Sequence, residues 1–377
     1  VSLSVLLAGG GTAGHVAPLL ALADCLRRRD PGVRITVLGT AEGLEARLVP
    51  EAGYLLALIP RVPMPRRPTA DLGRLPVRLR AANLAAAAAI TESRADVVVG
   101  FGGYVSAPAY IAARRLGVPI VVHEANSRPG LANRVGARFT TYVACAFPGT
   151  PLRGARVLGL PLRRQITTLD RAGLRPEGLA AFDLSSRRPT LLVTGGSLGA
   201  QRLNETLAAS APVLLAAGAQ VLHLSGRGKP VDLPETSRDP GAPGDRRYVV
   251  REYLDRMDLA FAVADLVLCR AGASTVSELT ALGLPAAYVP LPVGNGEQRL
   301  NAQPVVDAGG GLLVADSACT PDWVRSELVP LLGDPAALAA MAAAAREFGI
   351  RDGDERLADL VEQAATRRPR PTAEEAI

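Results

Sequence analysis

The sequence predicts two doubly wound α/β domains, each a parallel sheet with helices on both faces. Three observations lead there. A short apolar run, a glycine-rich turn, a helical stretch, a glycine stop and a second apolar run recur at least four times along the chain, the grammar of strand–helix–strand units. The apolar runs are continuous rather than alternating, as strands covered on both faces are. The length of 377 residues accommodates two domains at roughly 100 to 200 residues each.

The first unit runs LSVLLAGGGTAGHVAPLLALADCLRR from Leu3 and continues to VRITVLG; the second is DVVVGFGGYVSAPAYIAARRLG from Asp96, leading to VPIVVHE. The third, PTLLVTGGSLGAQRLNETLAASAPVLLAAG from Pro189, leads to AQVLHLSG, and the fourth, ADLVLCRAGASTVSELTALG from Ala264, leads to LPAAYVPLP. Two units fall in each half, and the halves meet near Val157 around a Gly-Leu-Pro turn. The expected domains are 1–160, completed by C-terminal helices at about 340–365, and 161–339, with their sheets facing a central cleft that takes the ligand. The Pro-rich, charged stretch 366–377 is expected to be a disordered tail.

Composition narrows the function. Hydrophobic residues at 48% and charged residues at 21% supply a full core without metal or disulfide. Cys25, Cys145, Cys269 and Cys319 are far apart, which reads as buried thiols in a reducing compartment. The opening apolar run breaks at three glycines and lacks a basic flank, unlike a signal peptide, and no uninterrupted apolar stretch of about 18 residues suits a membrane span. The net charge of +6 is too diffuse for a nucleic-acid partner, and no finger, RNP or basic-zipper pattern occurs.

Gly9, Gly11 and Gly14 satisfy G-x-G-x-x-G between a strand and a helix. A nicotinamide site also needs a carboxylate at the end of the next strand, which here ends Val37-Leu38-Gly39-Thr40, with Glu42 the nearest candidate. A P-loop fails because His15 and Val16 stand where Lys and Ser/Thr are required. What remains is backbone N–H groups and a helix dipole facing a phosphate or diphosphate. In the fourth unit, Ala273-Ser274-Thr275 begins a helix and Glu278 follows Thr275 by three. That spacing fits a capping box as well as a carboxylate held against a ribose diol.

His15 and His123 each follow a strand at the edge where open α/β sheets bind ligands. His15, at a helix start, is placed to accept a proton, and His123-Glu124-Ala125-Asn126 ends a buried strand with a polar cluster. His223 reads as structural. Asp352-Gly353-Asp354 spells a D-x-D outside any strand end and reads as a solvated turn, so no metal site is expected. The segment from Ile59 carries Arg61, Arg66, Arg67, Arg74, Arg78 and Arg80 against Asp71, with Leu72, Leu75 and Leu79 at helical spacing. An apolar stripe flanked by positive charge suits an anionic membrane surface.

The segments GGGTAGHVAP, GFGGYVSAP, HEANSRPGLANR, GLPLR, GGSLGAQRLNE, CRAGASTVSELTALGLP and GNGEQRLNA together resemble, nearly end to end, the MurG family, glycosyltransferase family 28. The resemblance implies the two-domain GT-B architecture and inverting transfer of GlcNAc from UDP-GlcNAc to undecaprenyl-diphospho-MurNAc-pentapeptide, lipid I, in peptidoglycan synthesis. It implies no metal or other cofactor, a peripheral place on the cytoplasmic face of the membrane, and partners in cell-wall synthesis. It also implies the site. The donor set is Thr12, Gly14, Asn126, Arg163, Ser197, Leu254 beside Tyr253, Arg270, Ala273, Ser274, Thr275, Glu278, Glu297 and Gln298. Gly11, Gly102, Gly103 and Tyr104 meet the acceptor diphosphate, and His15, then Glu124, are the candidate bases. Arg66, Arg67, Arg74, Leu75, Arg78 and Leu79 meet the membrane. The sequence departs from the family at Ala13 for glycine, Ala125 for glutamine, Leu160 for asparagine and Glu297 for glutamine; a carboxylate there accepts from a sugar hydroxyl but cannot donate. The competing readings are a GT-B transferase with another lipid or natural-product acceptor, a UDP-sugar epimerase, and a nucleotide-sugar-binding subunit without activity.

Overall fold

The computed structural model describes residues 2–62, 75–196, 200–237 and 247–366. The chain divides into two compact units, 1–163 with 352–377, and 164–351.

The first unit is built on a seven-stranded sheet: β1 (Ser4–Gly9), β2 (Arg34–Gly39), β3 (Leu55–Leu58), β4 (Val97–Gly102), β5 (Ile120–Glu124), β6 (Tyr142–Cys145) and β7 (Arg156–Val157). Every pairing is parallel and the order is β3-β2-β1-β4-β5-β6-β7. Successive side chains of a strand point to opposite faces, so the uninterrupted apolar runs supply two cores. Val5, Leu7, Val97 and Val99 face helix Ala13–Arg29. Leu6, Ala8 and Val98 face helices Leu75–Glu92 and Gly103–Arg115.

The second unit repeats the plan with six parallel strands, β8 (Thr190–Thr194), β9 (Gln220–Leu224), β10 (Tyr248–Arg251), β11 (Leu266–Cys269), β12 (Ala286–Tyr288) and β13 (Gly311–Leu313). Their order is β10-β9-β8-β11-β12-β13. In both sheets the strand order therefore reverses beside the first strand, at β1/β4 and at β8/β11. Ligands of open α/β sheets bind at such switch points, outside the carboxyl ends of the strands.

The C-terminus differs from expectation. Helix Pro335–Phe348 belongs to the second unit, not the first, and Gly349 lies so close to its backbone that a Cβ there would sit 2.3 Å from the Thr280 carbonyl. Only helix Gly353–Thr366 returns to the first unit. It lays Leu357, Leu360, Val361 and Ala364 into the core shared with helix Ala13–Arg29. Asp354, expected in a solvated turn, is 2% exposed and pairs with Arg28 at 2.9 Å. Arg29 adds bonds to Glu355, Asp359 and Glu362. Residues 367–377, expected to be a disordered tail, lie outside the described residues.

All four cysteines are buried free thiols, and among the described residues no single helix is long and apolar enough to cross a membrane. Leu357→Ala should lower the stability of the chain by ~2–5 kcal/mol through the lost contacts and the cavity left behind. Urea unfolding followed by circular dichroism reads this directly, and a loss below ~1 kcal/mol would show that the helix only covers the first unit's surface.

Candidate active site

In the first unit the loops after β1 and β4 converge at the switch point. Two glycines make this approach feasible. Gly102 and Gly103 adopt φ of +97° and +78°, which side-chain-bearing residues rarely take. A Cβ on Gly103 would stand 2.7 Å from the Gly10 carbonyl, and one on Gly102 would stand 3.2 Å from His15 Nε2. Ser106 holds the turn, its Oγ accepting from the Gly102 N–H at 2.9 Å and lying 2.9 Å from the Ala8 carbonyl.

His15 stands in the first turn of helix Ala13–Arg29, half-buried. Its Nδ1 is 3.1 Å from the Gly10 carbonyl and 3.2 Å from Thr12 Oγ1. A carbonyl only accepts, so a hydrogen bond to Gly10 requires the proton on Nδ1, the tautomer whose free lone pair is on Nε2.

A carboxylate not singled out from the sequence lies beneath the glycine loop. Glu45 is fully buried and accepts from the Gly11 N–H at 2.8 Å, the Thr40 N–H at 3.0 Å and Thr40 Oγ1 at 2.9 Å. Burial opposes its charge, but these donors outweigh the burial and hold the carboxyl below the usual range. Glu42, the nearest candidate by sequence, is exposed. The available signal was Gly10, Gly39 and Gly43, whose added Cβ atoms would come within 2.5 Å of Glu45.

The cluster ending β5 is structural in geometry. Glu124, 3% exposed, spends its oxygens on the Asn126 and Gly130 N–H groups, each at 3.0 Å, and on Asn133 Nδ2 at 2.9 Å. Asn133 in turn accepts from Tyr110 Oη at 2.8 Å and donates to the His123 carbonyl at 3.1 Å. His123 is fully buried with Nε2 2.9 Å from the Gly159 carbonyl. Burial pushes it down to about 4, against the Gly159 bond. One expectation changes here. Glu124 shapes the 126–130 loop with three of its acceptor sites, and Gly11 spends its N–H on Glu45 rather than on a diphosphate.

In the second unit, helix Ala273–Leu282 starts at the β11 switch point with Gly272 as N-cap. Thr275 lies inside the helix and makes no cap bond, so the capping-box reading of Thr275 and Glu278 fails. The N-terminal N–H groups at Ala273, Ser274 and Thr275 have no partner within the helix, the arrangement that receives an anion. Arg270 is anchored, with Nη1 2.6 Å from Asp316 Oδ1 and 3.1 Å from the Val289 carbonyl. Gln298 Oε1 accepts from the Ala271 N–H at 3.2 Å and the Leu291 N–H at 2.9 Å. Both residues thus brace the loops around the helix start through Arg270 Nη1 and Gln298 Oε1. Glu297 is the first residue of helix Glu297–Asp307. Tyr253 is 45% exposed after β10, with the Arg227 guanidinium 4.2 Å from its ring centre, and Leu254 is half-buried beside it.

Residues 5–145 match the glycosyltransferase family 28 N-terminal domain and residues 190–357 the glycosyltransferase family 28 C-terminal domain. The chain belongs to glycosyltransferase family 28. A UDP-N-acetylglucosamine--N-acetylmuramyl-(pentapeptide) pyrophosphoryl-undecaprenol N-acetylglucosamine transferase of Streptomyces avermitilis is 59% identical over 97% of this chain and 99% of its own. The same-named protein of Streptomyces coelicolor is also 59% identical, over 97% and 99%. Among solved structures, Acinetobacter baumannii MurG superposes with a TM-score of 0.78 at 29% identity, covering 96% of this chain and 99% of that one. A UDP-GlcNAc 2-epimerase of Neisseria meningitidis shares the fold alone, with a TM-score of 0.65 at 14% identity over 96% and 100%. Two parallel-sheet α/β units in a family 28 chain constitute the GT-B architecture expected from sequence.

The structure places Gly11, Thr12, Gly14, His15, Gly102, Gly103 and Tyr104 at the first switch point, and Ala273, Ser274, Thr275 and Arg270 at the second. Asn126 lies on the loop held by Glu124, Glu278 is half-buried on the helix that begins at Ala273, and Arg163 closes the first unit. Ser197 lies outside the described residues, as do Arg66, Arg67 and Arg74. Leu75 and Leu79, expected to face a membrane, pack instead against the first unit's core. The apolar side chains this helix exposes are Val77 at 72% and Leu84 at 62%, with Arg78 half-buried. Among the described residues one group of metal-ligating side chains lies close together, Cys25, Asp354 and Glu355. Its carboxylates are ion-paired to Arg28 and Arg29.

His123 generates a pH prediction. Its folded value near 4 lies below the ~6.5 of an unfolded histidine, so the unfolded chain binds the proton first as pH falls. The stability associated with neutral His123 is complete above about 6.5 and is lost progressively down to about 4. His123→Gln keeps a donor for Gly159 and removes this titration. Urea unfolding at pH 7, 5.5 and 4 should show a shallower decline in the variant; parallel curves would refute the assignment.

Proposed function

We propose that this chain transfers N-acetylglucosamine from UDP-N-acetylglucosamine to the 4-hydroxyl of undecaprenyl-diphospho-N-acetylmuramoyl pentapeptide, inverting the anomeric centre, in peptidoglycan synthesis. The observation that carries the reading is 59% identity across 97% of the chain to a transferase of that name.

The residues support a single displacement. The acceptor hydroxyl gives its proton to Nε2 of His15 as its oxygen attacks the anomeric carbon, and the bond from that carbon to the UDP oxygen breaks. The leaving diphosphate gains negative charge, which the N-terminus of helix Ala273–Leu282 and the loop containing Ser197 stabilise. Glu278 accepts from the ribose hydroxyls, Leu254 and Tyr253 border the uracil, and Glu297 accepts from the sugar. Gln298 and Arg270 contribute by fixing the loops that carry these groups. On the first unit Gly102, Gly103 and Tyr104 receive the acceptor diphosphate, and Thr12, Gly14 and Asn126 contribute to the donor.

A polyprenyl acceptor stays in the bilayer, so the enzyme must come to it. The exposed Val77 and Leu84 and the arginines from Arg61 to Arg80 favour peripheral attachment of the first unit to an anionic cytoplasmic leaflet, beside other proteins of cell-wall synthesis.

The test is incubation with UDP-GlcNAc and a short-chain analogue of the lipid acceptor. One β-linked disaccharide should form per UDP released; UDP release without disaccharide, or sugar epimerisation without acceptor, would overturn the reading. His15→Ala should lower kcat by about 100-fold or more with donor affinity nearly intact. An activity loss that instead tracks a lowered Tm would make His15 structural. Glu278→Ala should raise the donor KM by the equivalent of ~1–3 kcal/mol, the scale of a charged hydrogen bond. Unchanged donor binding would remove Glu278 from the ribose site.

A further inference from the structure

We propose that Glu45 acts on the transfer reaction through one peptide group, as the outer member of a carboxylate–peptide–imidazole relay ending at His15. The proposal rests on reading His15 as the general base. Its geometry is independent of that reading. The Gly11 N–H that donates to Glu45 Oε2 at 2.8 Å and the Gly10 carbonyl that lies 3.1 Å from His15 Nδ1 belong to the same peptide unit. A negative charge on the N–H side of an amide polarises it and increases the electron density on its oxygen, and hydrogen bonds in such a chain strengthen one another. The Gly10 oxygen is therefore a better acceptor for Nδ1–H, most of all once Nε2 has taken the acceptor's proton and the ring is cationic. Glu45 thus favours the charged ring formed during transfer, without touching either substrate.

Three further features support the assignment. Glu45 is fully buried and its carboxylate is held by three donors within one short segment and the glycine loop, so its charge is fixed in place. The glycines at 10, 39 and 43 leave room for this carboxylate and for nothing larger, since a Cβ at each would come within 2.5 Å of Glu45. The groups facing the His15 ring from the other elements are Thr12 Oγ1 and the backbone of Gly102 and Gly103. One more carboxylate, Glu124, stands behind Asn133, whose Nδ2 it meets at 2.9 Å. Glu45 is the carboxylate connected to the ring by a continuous hydrogen-bonded path through Gly10.

Glu45 is a positioning residue, and the test must separate this from simple support of the loop. Glu45→Gln preserves shape and removes charge. We expect kcat to fall by about 10- to 100-fold, the scale that outer carboxylates have behind metal-bound histidines. The acidic limb of the kcat/KM profile should move to lower pH, because the imidazolium is less favoured, while UDP binding stays unchanged. In a double-mutant cycle, Glu45→Gln should cost less than about twofold in the His15→Ala background, since a relay has nothing to act on without the ring. An undiminished penalty there, or an unmoved acidic limb, would overturn the relay while leaving His15 as base. Full activity in His15→Ala alone would instead defeat the base reading, and with it the relay. Should Glu45→Gln fail to fold, ¹⁵N imidazole shifts of the unaltered chain decide the matter. Neutral His15 protonated at Nδ1 supports the relay; protonation at Nε2 overturns it.

Discussion

The close approach of two backbones at the first switch point is the constraint on which the first unit's candidate site depends. The Gly102–Gly103 turn passes against Gly10 with no room for a Cβ at position 103. His15 occupies the angle between them, its Nδ1 tied to Gly10 and its Nε2 next to Gly102. Any side chain on either turn glycine would displace the ring or the loop. The parallel sheet makes this meeting unavoidable, because β1 and β4 pair directly and both deliver their loops to the same edge. Their register shifts between Ala8 and Gly9, just where the loops begin.

Around that contact the first unit uses buried polar groups as scaffolding. Glu45 holds the first loop, Ser106 the second, and Glu124 with Asn133 the third. Each satisfies backbone N–H groups that a loop at a ligand edge cannot satisfy within a helix or strand. An unpaired buried group of this kind costs about 1–3 kcal/mol, so the loops are ordered before any ligand arrives. The second unit follows the same logic with other residues. Arg270 ties the end of β11 to Asp316 and to the chain after β12, and Gln298 bridges Ala271 and Leu291. Side chains that resemble ligand contacts on the sequence therefore also brace the backbone at the switch point.

What the sequence determined by itself is the architecture. Period and composition were enough for this, because a strand buried on both faces must be apolar throughout and a tight turn into a helix must be rich in glycine. Four loops, two per sheet, follow from those patterns, and the strands that lead into them pair at the two switch points. The family was legible as well, in motifs distributed along both halves. The boundaries were less so: helix Pro335–Phe348 stays with the second unit because Gly349 is packed against Thr280, a contact 69 residues distant in sequence that no local pattern announces.

Tertiary structure alone decided which polar side chains are spent on the protein itself. Glu42 and Glu45 are equally acidic on paper, yet only Glu45 lies beneath Gly11. Glu124 gives no local sign on the sequence that its oxygens hold Asn126, Gly130 and Asn133. Asp354 reads as a solvated turn until Arg28, 326 residues earlier, reaches it. Leu75 and Leu79 read as a membrane stripe until the core takes them and leaves Val77 and Leu84 outside. The physical reason is the same in each case. Periodicity reports how a segment divides its surface between apolar and polar, a local property, whereas a hydrogen bond or ion pair depends on where a distant segment brings its partner, and only the folded chain specifies that.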